Sequence, residues 1–245
     1  MKRMNLKYSG LILLTGVLVL GACKKEFNKV ITDNTDPDKS YFRLYNAALS
    51  TTRNYVYVNN IQVTGAAVAY AGLFPSTGYY TAVVPGGNQI LIKDTLGTSA
   101  QNPISFSAVF EKGKRYTVFT YDTLATVKYK MVFDDIVVPT DTTSRVRFAN
   151  MIFSSVSIPN VDIYSTRRAS NVFSNIPSTG VTPFIPYASQ NDTLYVRATG
   201  TTTNLATLSN FFPTQKRSYT VIFRGRYQTT GTTGVARTLT SFSNY

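Results

Sequence analysis

The sequence predicts an all-β protein: two tandem immunoglobulin-like antiparallel β-sandwich domains behind a signal peptide and a flexible tether. Three observations predict this class. The chain is 43% hydrophobic, with 17 Tyr and 15 Phe, and β-branched and aromatic residues fit a pleated, half-buried surface. From Tyr41 onward, short runs of such residues alternate with Asn, Gly, Pro and Ser clusters, the punctuation of strands and turns. The pattern then starts again near residue 145, at offsets of 102 to 104 residues, a period longer than solenoid repeats and long enough for a domain.

The first element is a leader, residues 1–22. Lys2, Arg3 and Lys7 precede an apolar run from Leu11 to Leu20, and small residues Gly21 and Ala22 follow, the three-part order of an export signal. The run is about half of the roughly 20 residues a bilayer-spanning helix needs. Leu20-Gly21-Ala22-Cys23 resembles the lipobox of bacterial lipoproteins. The resemblance implies a thioether-linked lipid on Cys23, cleavage before it and acylation of the new amino terminus. Each buried methylene contributes about 0.8 kcal/mol, so several acyl chains together hold a protein on a membrane without a helix. Cys23 is the one cysteine, so no disulfide forms within the chain and the fold depends on packing.

Residues 23–40 read as a lipidated tether: they are polar, with one proline and no period. Asp33, Asp36 and Asp38 lie close together, but the spacing lacks the glycine turn and distal glutamate of a calcium loop. A charged linker accounts for them, and no metal is assigned.

The strands follow in order. In Tyr41 to Tyr45, Phe42 and Leu44 share one face and Arg43 points to the other, as in a half-buried strand. Tyr55 to Val58 forms a second strand, and Asn59-Asn60 a tight hairpin turn before Ile61-Gln62-Val63. Further strands are expected at 66–70, 79–84, 89–93, 104–110, 115–121 and 129–138, with Pro85-Gly86-Gly87-Asn88 as a turn.

In the repeat, Tyr41 to Asn46 is answered by Arg145 to Asn150, and Phe74-Pro75-Ser76-Thr77-Gly78 by Ile176-Pro177-Ser178-Thr179-Gly180. Gln89 to Lys93 is answered by Thr193 to Arg197, and Lys114 to Val118 by Arg217 to Val221. The expected domains are therefore residues 41–139 and 140–245, joined through the linker-like Pro139 to Ser144. Tyr116 and Tyr219 each open a strand behind a turn, where a sandwich uses a tyrosine hydroxyl to fasten a corner.

These paired units, with Arg43 to Asn46 and Arg147 to Asn150 opening each, Val56 to Asn59 and Val161 to Tyr164 next, and the turn and strand of Phe110 to Val118, resemble the domain of unknown function 4397 family. The likeness is to secreted and lipid-anchored members from Gram-negative bacteria and covers residues 41 to 245. The chain departs from the pattern at Tyr55, where the second unit has the acidic Asp162, and in the second unit's lack of a glycine equivalent to Gly113. The resemblance implies architecture and location at the envelope, and no catalytic residue.

Chemistry is constrained by composition. There is no histidine, which removes Ser-His-Asp and Cys-His catalysis and the commonest transition-metal ligand. Asp134 and Asp135 are adjacent and so diverge in a strand. No nucleophile elbow, phosphate loop or zinc spacing is present. We expect no enzymatic activity and no cofactor.

Charge gives the remaining lead. Past the leader the chain holds 22 basic and 12 acidic residues, and residues 140–245 hold ten basic against three acidic. The candidate anionic-ligand contacts are Arg145, Arg147, Arg167, Arg168, Arg197, Arg224 and Arg226, since guanidinium pairs bidentately with carboxylate, sulfate or phosphate. Tyr79, Tyr80 and Tyr187 are candidate sugar-stacking residues. The competing reading is a solvated strand face whose arginines protect sheet edges, with tyrosines covering the core. The expectation is a lipid-anchored, non-enzymatic interaction module of the cell envelope, most simply of the outer membrane, with another envelope protein or a polysaccharide as partner and no nucleic acid.

Overall fold

The computed structural model describes residues 36–231 and 233–245. The leader, Cys23, Asp33 and the tether as far as Thr35 lie outside the described residues. Asp36–Tyr245 form one compact unit, built of strands and one 3-10 turn at Leu124–Thr126.

The first sandwich runs β1 (Ser40–Asn46), β2 (Asn54–Val58), β3 (Ile61–Gln62), β4 (Leu73–Phe74), β5 (Thr81–Val83), β6 (Gly86–Asp94), β7 (Ile104–Phe110), β8 (Arg115–Tyr121) and β9 (Lys128–Phe133). The second runs β10 (Ser144–Phe153), β11 (Val161–Ser165), β12 (Ser170–Ile176), β13 (Ile185–Tyr187), β14 (Asp192–Ala198), β15 (Asn204–Phe211), β16 (Ser218–Arg226) and β17 (Thr238–Ser243). One sheet of the first sandwich is β4-β1-β8-β9 with β5 also on β1, and the other is β3-β2-β6-β7. The second sandwich repeats the plan as β13-β10-β16-β17 and β12-β11-β14-β15.

The all-β sandwich expectation holds, with one difference. β1 pairs with β8, and β10 with β16, in parallel. A parallel pair needs a long crossover, and the strands of the facing sheet supply it.

Alternation along each strand makes two inner cores. Phe42 and Leu44 of β1 meet Val56, Ile90, Ile92 and Phe110 in the first. Phe148, Ile163, Val196 and Phe223 do so in the second. A third cluster joins Tyr45, Ala47 and Phe119 to Ala149, Met151, Ile222 and Phe242. The outer faces of the β1 and β10 sheets thus pack on each other, and four sheets stack. This overturns the half-buried reading of the opening strand: all seven residues of β1 are buried, and Arg43 is 0% exposed. A strand alternates identically whether its second face meets water or another sheet.

Other expectations shift locally. Asn59 and Asn60 have φ of 50° and 66°, as the tight hairpin turn requires. Gly86 and Gly87 pair with Phe110 and Val109 inside β6, so they are strand and not turn. Residues 66–70 contribute a single bridge, Asn54 to Val68. β9 stops at Phe133, and Asp134-Asp135 lie just beyond it. Tyr116 and Tyr219 do fasten corners: each hydroxyl accepts a backbone N–H five residues upstream, from Glu111 at 3.1 Å and Thr214 at 3.0 Å.

The repeated Pro-Ser-Thr-Gly is out of register. Asn150 pairs its backbone with Thr179 and Gly180, while Asn46, its equivalent, pairs with Ala71 and Gly72. Buried Asn46 and Asn150 also donate from Nδ2 to Val68 O at 2.9 Å and Pro177 O at 3.0 Å. A Cβ on Gly72 or Gly180 would stand 2.8 Å from the carbonyl oxygen of Ala69 or Pro177, which explains glycine at both. Ala69-Tyr70-Ala71-Gly72 therefore answers Pro177-Ser178-Thr179-Gly180. Pro75-Ser76-Thr77-Gly78 is an addition peculiar to the first sandwich.

Candidate functional site

The parallel registers make Arg43 of β1 and Arg147 of β10 equivalent, as the neighbours of Thr117 and Thr220. Both strands aim these side chains at the opposite sandwich. Arg147, 2% exposed, places Nη1 2.6 Å from Asp134 Oδ1. The angle makes this an ion pair and not an aligned hydrogen bond, since Asp134 Oδ1 accepts none. Arg147 Nε donates to Thr220 Oγ1 at 2.8 Å. Asp134 Oδ2 accepts from Thr117 Oγ1 at 2.5 Å and Tyr80 OH at 2.6 Å.

Arg43 reaches the reciprocal place, where Asn244 stands in the position of Asp134. Asp134 N donates to Arg115 O and Asn244 N to Ser218 O, and Thr220 Oγ1 donates to Asn244 Oδ1 at 2.6 Å. Arg43 therefore meets carbonyls, Tyr79 O at 2.5 Å and Ser243 O at 3.1 Å, with its guanidinium 4.0 Å from the Tyr80 ring centre. Burial lowers its pKa, opposed by Tyr80 and Asp134. Burial, reinforced by the Asp134 carboxylate, pushes the Tyr80 phenol far up, so it remains a hydrogen-bond donor.

Phe184 is the equivalent of Tyr80, each directly preceding the short strand that pairs with β10 or β1. Its ring lies 4.7 Å from the Arg147 guanidinium. Beside it opens a cleft of about 300 Å³ bordered by Phe133, Asp135, Arg145, Arg147, Thr182 and Phe184.

The structure brings Arg145 and Arg147 together at this cleft and separates the remaining candidates. Arg145 Nη1 donates to Thr143 Oγ1 at 2.7 Å and Ser144 O at 3.2 Å. Arg167 is exposed. Arg168 lies 4.8 Å from the Tyr187 ring, Arg197 3.8 Å from Tyr164, Arg224 5.1 Å from Tyr70 and Arg226 5.0 Å from Phe153. These stacks suit a flat guanidinium better than an ammonium, which accounts for arginine at these positions. Arg224 borders a separate open cleft with Tyr45, Thr77 and Phe242.

Of the tyrosines, Tyr79 is exposed and Tyr187 is 2% exposed, so Tyr187 cannot stack on a sugar. Its hydroxyl bonds to the carboxylate of Asp192. Sequence reasoning missed Asp134, Tyr80 and Asn244 as a group. The available signal was an arginine inside both opening strands of a repeat, since a repeated unit that packs on itself buries the same face twice.

Asp192 is the second buried acid of note. It accepts from Ser165 Oγ at 2.5 Å, Thr166 Oγ1 at 3.0 Å and Arg167 N at 3.1 Å. Burial pulls its carboxyl up, but the Ser165 and Tyr187 hydroxyls and the Arg167 amide outweigh that, and its pKa lies below the ordinary value. Among the described residues no group of three His, Cys, Asp or Glu is placed to hold a metal ion.

A duplicated-looking all-β body with a buried polar junction defines the class by architecture, as an all-β sandwich protein. The family model described as Domain of unknown function (DUF4397) matches residues 40–164, the whole first sandwich and the opening strands of the second. The chain belongs to that family. No curated protein matches the chain.

Proposed function

We propose that the chain is a non-enzymatic, lipid-anchored protein of the cell envelope, held at the outer membrane by acyl chains on Cys23, whose described part is an interaction module. In this reading residues 41–139 and 140–245 are a tandem pair of the family's domain. The observation that carries the interaction-module reading is the junction: the most buried ion pair among the described residues, Arg147 with Asp134, joins one sandwich to the other. A buried pair of this kind is costly to break from one side and so holds the two sandwiches in one arrangement. The sequence order of charge, apolar run and Leu20-Gly21-Ala22-Cys23 supports the anchor.

Membrane fractionation with intact mass measurement tests the anchor. The wild-type protein should carry acyl mass and sediment with membranes, and Cys23→Ser should be released with unchanged circular dichroism. A Cys23→Ser protein that stays in the membrane fraction would contradict it.

A second reading has its own observation. Arg197 lies over Tyr164 with Tyr195 on the same outer face of β11 and β14, a ring and guanidinium platform able to take an acidic glycan. Pull-down on acidic and neutral polysaccharides, repeated with Arg197→Ser, tests it. Binding that is absent, or unchanged in the variant, removes that platform.

A further inference from the structure

The second sandwich has a cleft where the first has chain. Between Gly72 and Tyr80 the first sandwich carries the added Pro75–Gly78, while Gly180 and Phe184 are separated by Val181, Thr182 and Pro183 alone. The added residues lie along the end of β17. Ser243 N donates to Thr77 Oγ1 at 2.8 Å, and Gly78 N donates to Ser243 O at 2.9 Å. Arg43 Nη1 donates to the same carbonyl.

Phe133 is to β9 what Ser243 is to β17. Asp134 N bonds to Arg115 O as Asn244 N bonds to Ser218 O, so Phe133 and Ser243 each face a tyrosine in a non-hydrogen-bonded pair. In such a pair the residue's own N–H and C=O point out from the strand. β9 ends its sheet, and Phe133 borders the cleft together with Arg147, the equivalent of Arg43, and Thr182 and Phe184, which flank the missing insertion.

We propose that this cleft docks a short turn of a partner protein, a hydroxyl residue followed by a glycine of positive φ as at Gly78, bonded to the main chain of Phe133. The occupant is inferred from the chain's own Thr77-Gly78, which fills the reciprocal place. The turn's glycine N–H and its hydroxyl would bond the C=O and N–H of the edge residue, as Gly78 and Thr77 bond Ser243, and flanking side-chain pockets would add specificity. Phe184 and Val137 offer apolar contact on the cleft walls, and Arg145 and Asp135 its charged rim. The proposal rests on the reading of the body as an interaction module and is independent of the anchor.

The test titrates full-length Cys23→Ser protein with the capped peptide Leu-Phe-Pro-Ser-Thr-Gly-Tyr, which copies residues 73–79, and follows backbone amides by NMR. The proposal expects saturable shifts at Phe133, Thr182 and Phe184. A peptide with valine in place of threonine should bind about fivefold more weakly or worse, the effect of one lost hydrogen bond. A variant with Pro-Ser-Thr-Gly inserted after Thr182 should fold and no longer respond. Absence of saturable shifts, equal binding of the valine peptide, or an unchanged response in a folded insertion variant would each overturn it. So would an acidic oligosaccharide that moves these amides where the peptide does not. Failure of the anchor would show in fractionation and leave this titration untouched.

Discussion

The two sandwiches share one strand plan and differ at a few equivalent positions, and those differences are where each half's chemistry resides. Asp134 of the first stands where the second has Asn244, so one junction arginine has a carboxylate and the other has carbonyls. Tyr80 stands opposite Phe184, and an added tetrapeptide opposite a cleft. In the reverse direction, Asp192 stands where the first sandwich has Asn88: Asn88 N δ2 bonds the carbonyls of Val84 and Gly86 and its oxygen accepts from Asn59. Gly113, with φ of 75°, is replaced by Lys216, which holds φ of 60°. The strand plan tolerates such exchanges because the inner cores are made by other residues. What changes is the balance of charge at the junction and the openness of the rim.

The largest effect expected from this comparison is at the junction. Arg147→Met leaves Asp134 buried without its cation and should cost about 3–5 kcal/mol in urea unfolding. Arg43→Met removes a cation that faces carbonyls and a ring, and should cost about 1–3 kcal/mol, the penalty of buried acceptors left unsatisfied. Equal losses would break the asymmetry.

The next contrast separates the two Pro-Ser-Thr-Gly segments. Gly180→Ala forces a Cβ to 2.7 Å from Ile176 Cγ2 and should cost about 2 kcal/mol. Gly78→Ala meets nothing within 4 Å and pays only for its φ of 82°, about 1 kcal/mol. Were the segments in register, both glycines would respond alike.

The acid response should divide the molecule. The folded pKa of Asp192 is depressed, so its contribution is present above the unfolded value near pH 4 and is lost as pH falls through the folded pKa. Amide hydrogen exchange should show β11 and β14 losing protection below about pH 4 before β2 and β6, where Asn88 does not titrate. Asp192→Asn should abolish that difference between the halves. The smallest effect is a gain: Lys216→Gly relieves a left-handed backbone and should stabilise by about 1 kcal/mol, read as a rise in the thermal midpoint.

Much of the fold was legible in the sequence because strand alternation and turn chemistry are local. Ile104–Phe110 and Arg115–Tyr121 fall where periodicity puts them, and the corner tyrosines follow from their place behind a turn. The junction was less legible. Phe42-Arg43-Leu44 has the same pattern whether Arg43 meets solvent or a second sheet, and only the packing of the β1 sheet on the β10 sheet decides. The tetrapeptide match misled because identity of four residues outweighed backbone register, which depends on Asn46 and Asn150. Among the arginines, charge alone could not distinguish Arg147, paired inside the junction, from Arg197, stacked on an outer face.

Arg147 and Asp134 join the two halves, and the sharpest test is a double-mutant cycle in unfolding free energy with Arg147→Met and Asp134→Leu. Two partners in one buried pair should show a coupling of at least about 2 kcal/mol, the double variant being far less destabilised than the sum of the single ones. Additivity to within about 0.5 kcal/mol would mean that this pair does not hold the halves together.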